Sequence, residues 1–162
     1  MIQFVHVSPT RHNRNVRLPM AIIYPAALLR SASGGYTVTF RDIPEIVTEG
    51  DDEAEALVNA RHALDTVLAW YIRERRTIPQ PSERRRGQRL VAPSSLVAAK
   101  AALSVALARS ALSQRELARR MGCEVTAVQR LLDPKHRSRH DQLDAAFQAL
   151  NAQLAISLEE AA

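Results

Sequence analysis

The amino-acid sequence predicts an α+β domain followed by an all-α domain, and three observations carry that expectation. Residues 20–48 alternate short apolar runs with turn signals, the pattern of strands in a half-buried sheet. Residues 52–76 then repeat apolar side chains every three or four positions, the period of a helix with one buried face. From residue 94 the helical period returns in successive short blocks rich in Ala and Leu. The order expected in the first domain is strand–strand–strand–helix–strand.

Residues 1–19 show no period and carry three Arg and no acid, so they read as a flexible basic arm, with Met20 as an alternative initiator. Residues 21–30, AIIYPAALLR, have the length and apolarity of a strand. Pro25 lacks the N–H that an interior strand donates, which predicts an edge or a bulge. Ser33-Gly34-Gly35 signals a hairpin, and Tyr36, Val38 and Phe40 alternate onto one side of a second strand. Ile43-Pro44 ends it, and Ile46-Val47-Thr48 is a short third strand. Asp52 and Glu55 are a capping pair for the long helix, whose buried face runs from Leu57 through Leu64 and Leu68 to Ile72. Arg73, Arg75 and Arg76 in its last turn suit the negative end of the helix dipole. The first domain thus covers 20–76, and residues 77–93 are a linker of Pro, Gly and Arg, with 90–92 expected to return as a last short strand. Residues 94–162 are the second domain: a helix from Ser94 or Ser95 to Ser110, a helix pair, and a closing helix over 139–151. Leu154, Ile156 and Leu158 alternate at the end, which suits a terminal strand paired with its own copy across a two-fold axis.

Ser113–Asp133 organises the second domain. Ser113 and Glu116 have the spacing of a capping box, Leu117, Ala118 and Met121 share the inner face of the first helix, and Gly122 supplies a left-handed cap. Val125, Val128, Leu131 and Leu132 form the inner face of a second helix. Counting from Gln114, a small residue stands where the helices cross (Ala118), a glycine at the turn (Gly122), and apolar residues face inward at Val128 and Leu131. This spacing resembles the helix-turn-helix of the phage-repressor superfamily, which implies DNA binding where an ordinary helical hairpin would not. Arg130 would pair with guanine, and Gln129 and Thr126 with other base edges. Gln114 and Arg115 at the first helix start, and Lys135, Arg137 and Arg139 after the second, are placed for phosphates, where His136 and His140 would also serve. Glu124, which phosphate would repel, is expected to cap the second helix, with reading of a cytosine as the alternative. Residues 109–140 hold eight Lys and Arg against three acids, so salt should weaken binding steeply.

Composition narrows the function further. One cysteine, Cys123, excludes a disulfide framework within the chain and a Cys-rich zinc site. No apolar run approaches the ~20 residues of a membrane span, and the N-terminal residues lack the apolar core of a secretion signal. A cytoplasmic protein without cofactor or metal is expected. The net charge of +5 is unevenly spread: residues 19–72 hold three Arg against eight Asp and Glu, and residues 73–89 seven Arg against two Glu. An acidic first half beside a basic second half predicts two partners of opposite sign, the second being nucleic acid.

Five short motifs occur in order within residues 20–82: Tyr24-Pro25, Gly34-Gly35-Tyr36, Phe40-Arg41-Asp42-Ile43-Pro44, Thr48-Glu49-Gly50-Asp51 and Ile78-Pro79-Gln80-Pro81-Ser82. In these the chain closely resembles the HicB antitoxins, and most of the remainder resembles the subclass of that family with a C-terminal helix-turn-helix. The resemblance implies a partial ribonuclease-H-like fold for the first domain and a HicA-type toxin as its partner, an mRNA-cleaving ribonuclease that the domain binds and blocks. It also implies a second domain that represses its own operon by binding operator DNA, and the terminal strand makes that domain a homodimer or higher homo-oligomer. An RNA-cutting partner presents a basic surface, so an acidic cover suits it. Tyr36, Asp42, Glu45, Glu49 and Asp51 are the residues expected to face the toxin.

Two other classes of function make different demands on the residues. A metal-dependent nuclease needs carboxylates converging on ions ~3.5–4 Å apart, yet residues 19–41 contain no Asp or Glu. The acids lie in loops and at the helix start, and no histidine stands in a triad pattern, so the chain is not expected to be an enzyme. The second alternative is a stand-alone helix-turn-helix regulator whose α+β domain senses a ligand or protein, which calls for an enclosed apolar pocket.

Overall fold

The computed structural model describes residues 20–32 and 34–155. The basic arm, and Ile156 and Leu158 of the expected terminal strand, lie outside them, while residues 152–155 form no strand. The chain divides into two compact units, Ile22–Ala98 and the residues from Ala99 onward.

The first unit is α+β. Strands β1 (Tyr24–Arg30), β2 (Tyr36–Phe40) and β3 (Val47–Gly50) precede a long helix, α1 (Glu53–Arg73), and β4 (Arg89–Val91) completes the sheet. All neighbours are antiparallel, in the order β3-β2-β1-β4. The β2 alternation works as read: Val38 and Phe40 are buried on the side where α1 packs, as are Leu64 and Leu68 of the helix. Each such side chain contributes about 1.5–3 kcal/mol when fully buried. The opposite face leaves Leu29 and Val47 open to solvent, 59% and 65% exposed.

Three expectations need correction. β1 is an interior strand, not an edge. Pro25 is tolerated because pairing with β2 begins only at Ala26↔Phe40, so at Pro25 the strand is paired on one side alone, with Leu90. The third strand lies one residue later than expected and runs on to Gly50, while Ile46 is buried just before it. The helix stops at Arg73: Arg75 takes φ 52°, and Arg76 folds back until its guanidinium stands 4.4 Å over the Trp70 ring. Of the three arginines only Arg73 remains in the last turn to meet the dipole.

At the other end of α1, the Asp52 side chain accepts from the Glu55 N–H at 2.8 Å. The Glu55 carboxylate reaches back one residue further, accepting from the Asp51 N–H at 2.8 Å. Both bonds satisfy donors that a helix start would otherwise leave open.

Residues 78–82 are fastened to this unit by side chains distant in sequence. Ile78 is buried, and the Tyr24 hydroxyl donates to the Pro79 carbonyl at 2.9 Å. Asp42 accepts from both the N–H and the hydroxyl of Ser82, each at 2.9 Å. Asp42→Ala removes both bonds, and hydrogen bonds to a charged group contribute about 1.5–3 kcal/mol each. We expect the urea midpoint, read from Trp70 (the single tryptophan), to fall by the equivalent of about 2 kcal/mol. An unchanged midpoint would mean that this segment is not held by Asp42.

The second unit is helical in its described residues. Helix α2 (Ser95–Ser110) leads into it, followed by α3 (Gln114–Met121), α4 (Val125–Leu132) and α5 (His140–Ala149). Leu107, Leu117, Ala118 and Val128 form one buried cluster, with Met121, Cys123 and Leu150 packed against it. Leu143 and Phe147 of α5 are buried as their spacing predicts. Among the described residues no single helix is long and apolar enough to cross a membrane.

Candidate functional site

Two sets of residues emerge, one on each unit. In the second unit, Ser113 caps α3, its hydroxyl accepting from the Glu116 N–H at 3.1 Å. Gly122 takes φ 64°, φ space that costs an L-residue about 1–2 kcal/mol, and turns the chain toward α4. The small Ala118 and Val128 are buried together in the unit's core, so α4 turns its polar side outward. Thr126, Gln129 and Arg130 are all exposed, and their three- and four-residue spacing puts them on one face of α4. Gln114 and Arg115 open α3, with Arg115 exposed and Gln114 half-buried. Lys135, Arg137 and Arg139 are exposed in the loop after α4.

Local bonds alter some of these roles. Glu124 stands at the N-cap of α4 but its side chain makes no capping bond. Its stem is one carbon longer than Asp, and shorter polar side chains are the ones that reach the first-turn N–H groups. Arg139 is paired with Asp141 at 2.8 Å, an exposed pair weak enough for a phosphate to displace. The Nδ1 of His136 is buried without a partner, which turns that nitrogen away from any surface ligand.

The reciprocal half of the Ser113–Glu116 box is replaced. Glu116 instead receives Arg119 at 2.7 and 3.0 Å and Arg120 at 3.5 Å. The hydrogen bonds from Arg119, then its charge and the weaker pairing with Arg120, pull the Glu116 carboxyl down to about 2. That lies below the ordinary carboxylate value of about 4.3. A depressed folded-state value stabilises the fold above the unfolded pKa, and the benefit is lost as pH falls toward 2. Glu116→Gln should therefore lower the melting temperature of the helical signal at pH 6 and match the parent near pH 2. An equal difference at both pH values would contradict this pairing.

In the first unit, three of the five expected toxin-facing residues share one corner. Tyr36, Glu49 and Asp51 line an open groove of about 520 Å³ with Gly35, Gly50, Glu55 and Asn59. Tyr36 faces Gly50 across the β2–β3 pair, and Asn59 of α1 donates to the Glu49 carbonyl at 2.9 Å. The Arg30 guanidinium stands 6.0 Å from the Tyr36 ring centroid. The other two are engaged elsewhere. Asp42 holds Ser82, and Glu45 accepts from the Tyr71 hydroxyl at 2.8 Å. Glu45 is held below the usual carboxylate range by its own backbone N–H and then by Tyr71, while burial and Glu45 push the Tyr71 hydroxyl up. Burial, and then the charge of Asp42, raise the Tyr24 hydroxyl as well. Among the described residues, no three His, Cys, Asp or Glu side chains converge as metal ligands would.

Two groups stand outside the residues that the sequence pattern assigns to a site. Glu55 and Asn59 of the groove sit on α1, and nothing in the local pattern aims them at β3. Lys100 is fully buried in α2, and its setting carries a signal: a lone Lys between Val97-Ala98-Ala99 and Ala101-Ala102-Leu103.

Comparison with known proteins converges on one family. The family model described as "HicB_like antitoxin of bacterial toxin-antitoxin system" matches residues 23–102. "Antitoxin HicB" of Escherichia coli strain K12 is 35% identical over 133 residues, covering 82% of this chain and 96% of that protein. "Antitoxin HicB 1" of Photorhabdus laumondii is 38% identical over 136 residues, covering 84% of this chain and 86% of that protein. "Antitoxin HicB" of Pseudomonas fluorescens Pf0-1 is 34% identical over 129 residues, or 79% of this chain and 88% of that protein. The class so defined is the non-enzymatic antitoxin of a bacterial toxin–antitoxin system, a protein with a toxin as its partner. Within that class, the chain belongs to the HicB antitoxin family.

Proposed function

We infer that this antitoxin binds and neutralises a HicA-type mRNA-cleaving ribonuclease through its first unit and represses its own operon through its second. The α+β unit is read as a partial ribonuclease-H-like domain that has kept a binding surface and no nuclease site. The corner of Tyr36, Glu49 and Asp51 is the toxin-facing set, because its carboxylates oppose the basic surface that an RNA-cutting protein must carry. Asp42 and Glu45, bonded to Ser82 and Tyr71, hold the unit together.

The α3–α4 pair is read as a helix-turn-helix, with α4 as the helix that enters the major groove. The observation that carries this half is the exposed row Thr126, Gln129 and Arg130 on a helix whose other side is buried. Gln114, Arg115, Lys135, Arg137 and Arg139 supply phosphate contacts. A homodimer would set two such helices about one turn, ~34 Å, apart. Both proposed targets, mRNA cleavage and the operon, place the protein in the cytoplasm. The stand-alone regulator called for an enclosed apolar pocket, whereas the groove of the first unit is open and lined by Glu49, Asp51 and Glu55.

The DNA half is tested by titrating the full chain against the DNA upstream of its own reading frame at several salt concentrations. Specific binding that weakens steeply with salt supports it. Equal affinity for upstream and unrelated DNA would overturn it.

A further inference from the structure

Lys100 is the one charged side chain fully buried among the described residues. Its ammonium donates to the carbonyl of Arg130 at 3.1 Å, the carbonyl of Leu131 at 3.0 Å and the hydroxyl of Ser138 at 2.9 Å. An ammonium has three donors, and all three are used. The two carbonyls belong to the last turn of α4, where a helix leaves its acceptors open and where a cation meets the negative end of the dipole. Ser138 lies in the loop beyond that turn, among Lys135, Arg137 and Arg139.

A buried charge is an expensive way to stabilise a helix packing face. Desolvating an ammonium is costly, and an apolar side chain of similar volume would pack without that cost. Burial does lower the Lys100 pKa, with the charge of Asp133 working in the other direction. What the ammonium adds over an apolar residue is geometry: it ties the end of one helix to a point in the following loop. Being fully buried, it touches neither base nor phosphate itself.

We propose that Lys100 is a positioning residue for DNA recognition, fixing the α4 turn that bears Arg130 to the loop that bears Lys135, Arg137 and Arg139. This rests on reading α3–α4 as the DNA-binding pair. Through it, the base-reading arginine and the phosphate-contacting cations are presented in one register.

The test uses the full chain with Lys100→Met, which keeps the stem and removes the ammonium, and Ser138→Ala, which removes only the loop arm. Two quantities are read: amide hydrogen exchange over residues 133–139, and the salt dependence of binding to the upstream DNA. In Lys100→Met the loop amides should exchange on the order of ten times faster relative to α3, and the salt slope should fall by roughly two as ordered phosphate contacts are lost. Ser138→Ala should show the same changes to a smaller extent. A purely structural lysine would lower the melting temperature and leave both quantities unchanged well below it, and that result overturns the proposal. If Lys100→Met does not fold, Ser138→Ala decides alone, with unchanged loop exchange and slope as the overturning result. Failure of the parent protein to bind the upstream DNA overturns the DNA reading together with this proposal. Binding by the parent with unaltered variants overturns the proposal alone.

Discussion

Gly50→Ala is expected to destabilise the first unit by about 3 kcal/mol, the upper end of what overpacking usually costs. A β-carbon at Gly50 would stand 2.6 Å from Ala56 Cα and closer still to the Ala56 nitrogen, both backbone atoms in the first turn of α1. Neither atom can swing aside as a side-chain tip would, so β3 or α1 must move. Gly35, across the strand pair at φ +77°, brings a second constraint, since a β-carbon there would lie 2.6 Å from the Gly50 carbonyl oxygen. The hairpin, the third strand and the helix start therefore meet at one glycine, in the corner that carries Tyr36, Glu49 and Asp51. Gly122→Ala is the control: its φ of +64° imposes strain, but nothing lies within 4 Å, so about 1 kcal/mol is expected. Urea unfolding followed by Trp70 fluorescence for the first unit, and by helical circular dichroism for the second, checks both values. Equal costs for the two substitutions would show that the Gly50 approach is softer than its distances require.

The second large effect lies on α4. Arg130→Ala should weaken specific binding by about 1–3 kcal/mol and relax base preference, because a guanidinium paired with a base edge discriminates between sequences. Lys135→Ala should weaken binding to all sequences alike and reduce the salt slope by about one, because the phosphate contact proposed for it carries no sequence information. Both side chains are exposed, so neither substitution opens the core. Affinities for specific and unrelated DNA, measured side by side over a salt series, separate the two. Equal losses on every sequence from both variants would remove Arg130 from base reading.

Local pattern made much of this fold legible. The β2 alternation, the Gly34-Gly35 turn, the Asp52 cap and the Ser113…Gly122 frame each depend on neighbours within a few residues, and each has the geometry its spacing implies. What stayed hidden depends on partners far along the chain. Pro25 reads as an edge residue until β4 is known to pair outside β1, some 65 residues later in sequence. Asp42 reads as a surface acid until Ser82, 40 residues on, closes over it. Glu116 matched a capping box by spacing, but two arginines within one turn compete for the same carboxylate and win. Of the expected toxin-facing residues, the sequence named acids by charge alone. Which acids remain free was decided by Tyr71 and Ser82, and no local signal links those to Glu45 and Asp42.

The neutralising role is tested most directly by RNA cleavage. A HicA-type toxin, sought as the product of a small reading frame beside this gene, is supplied with RNA, and this chain is added in increasing ratio. Cleavage should stop near one chain per toxin, and a Glu49→Lys, Asp51→Lys variant should need a large excess. Undiminished cleavage at saturating antitoxin, with both proteins folded, would contradict neutralisation by the first unit.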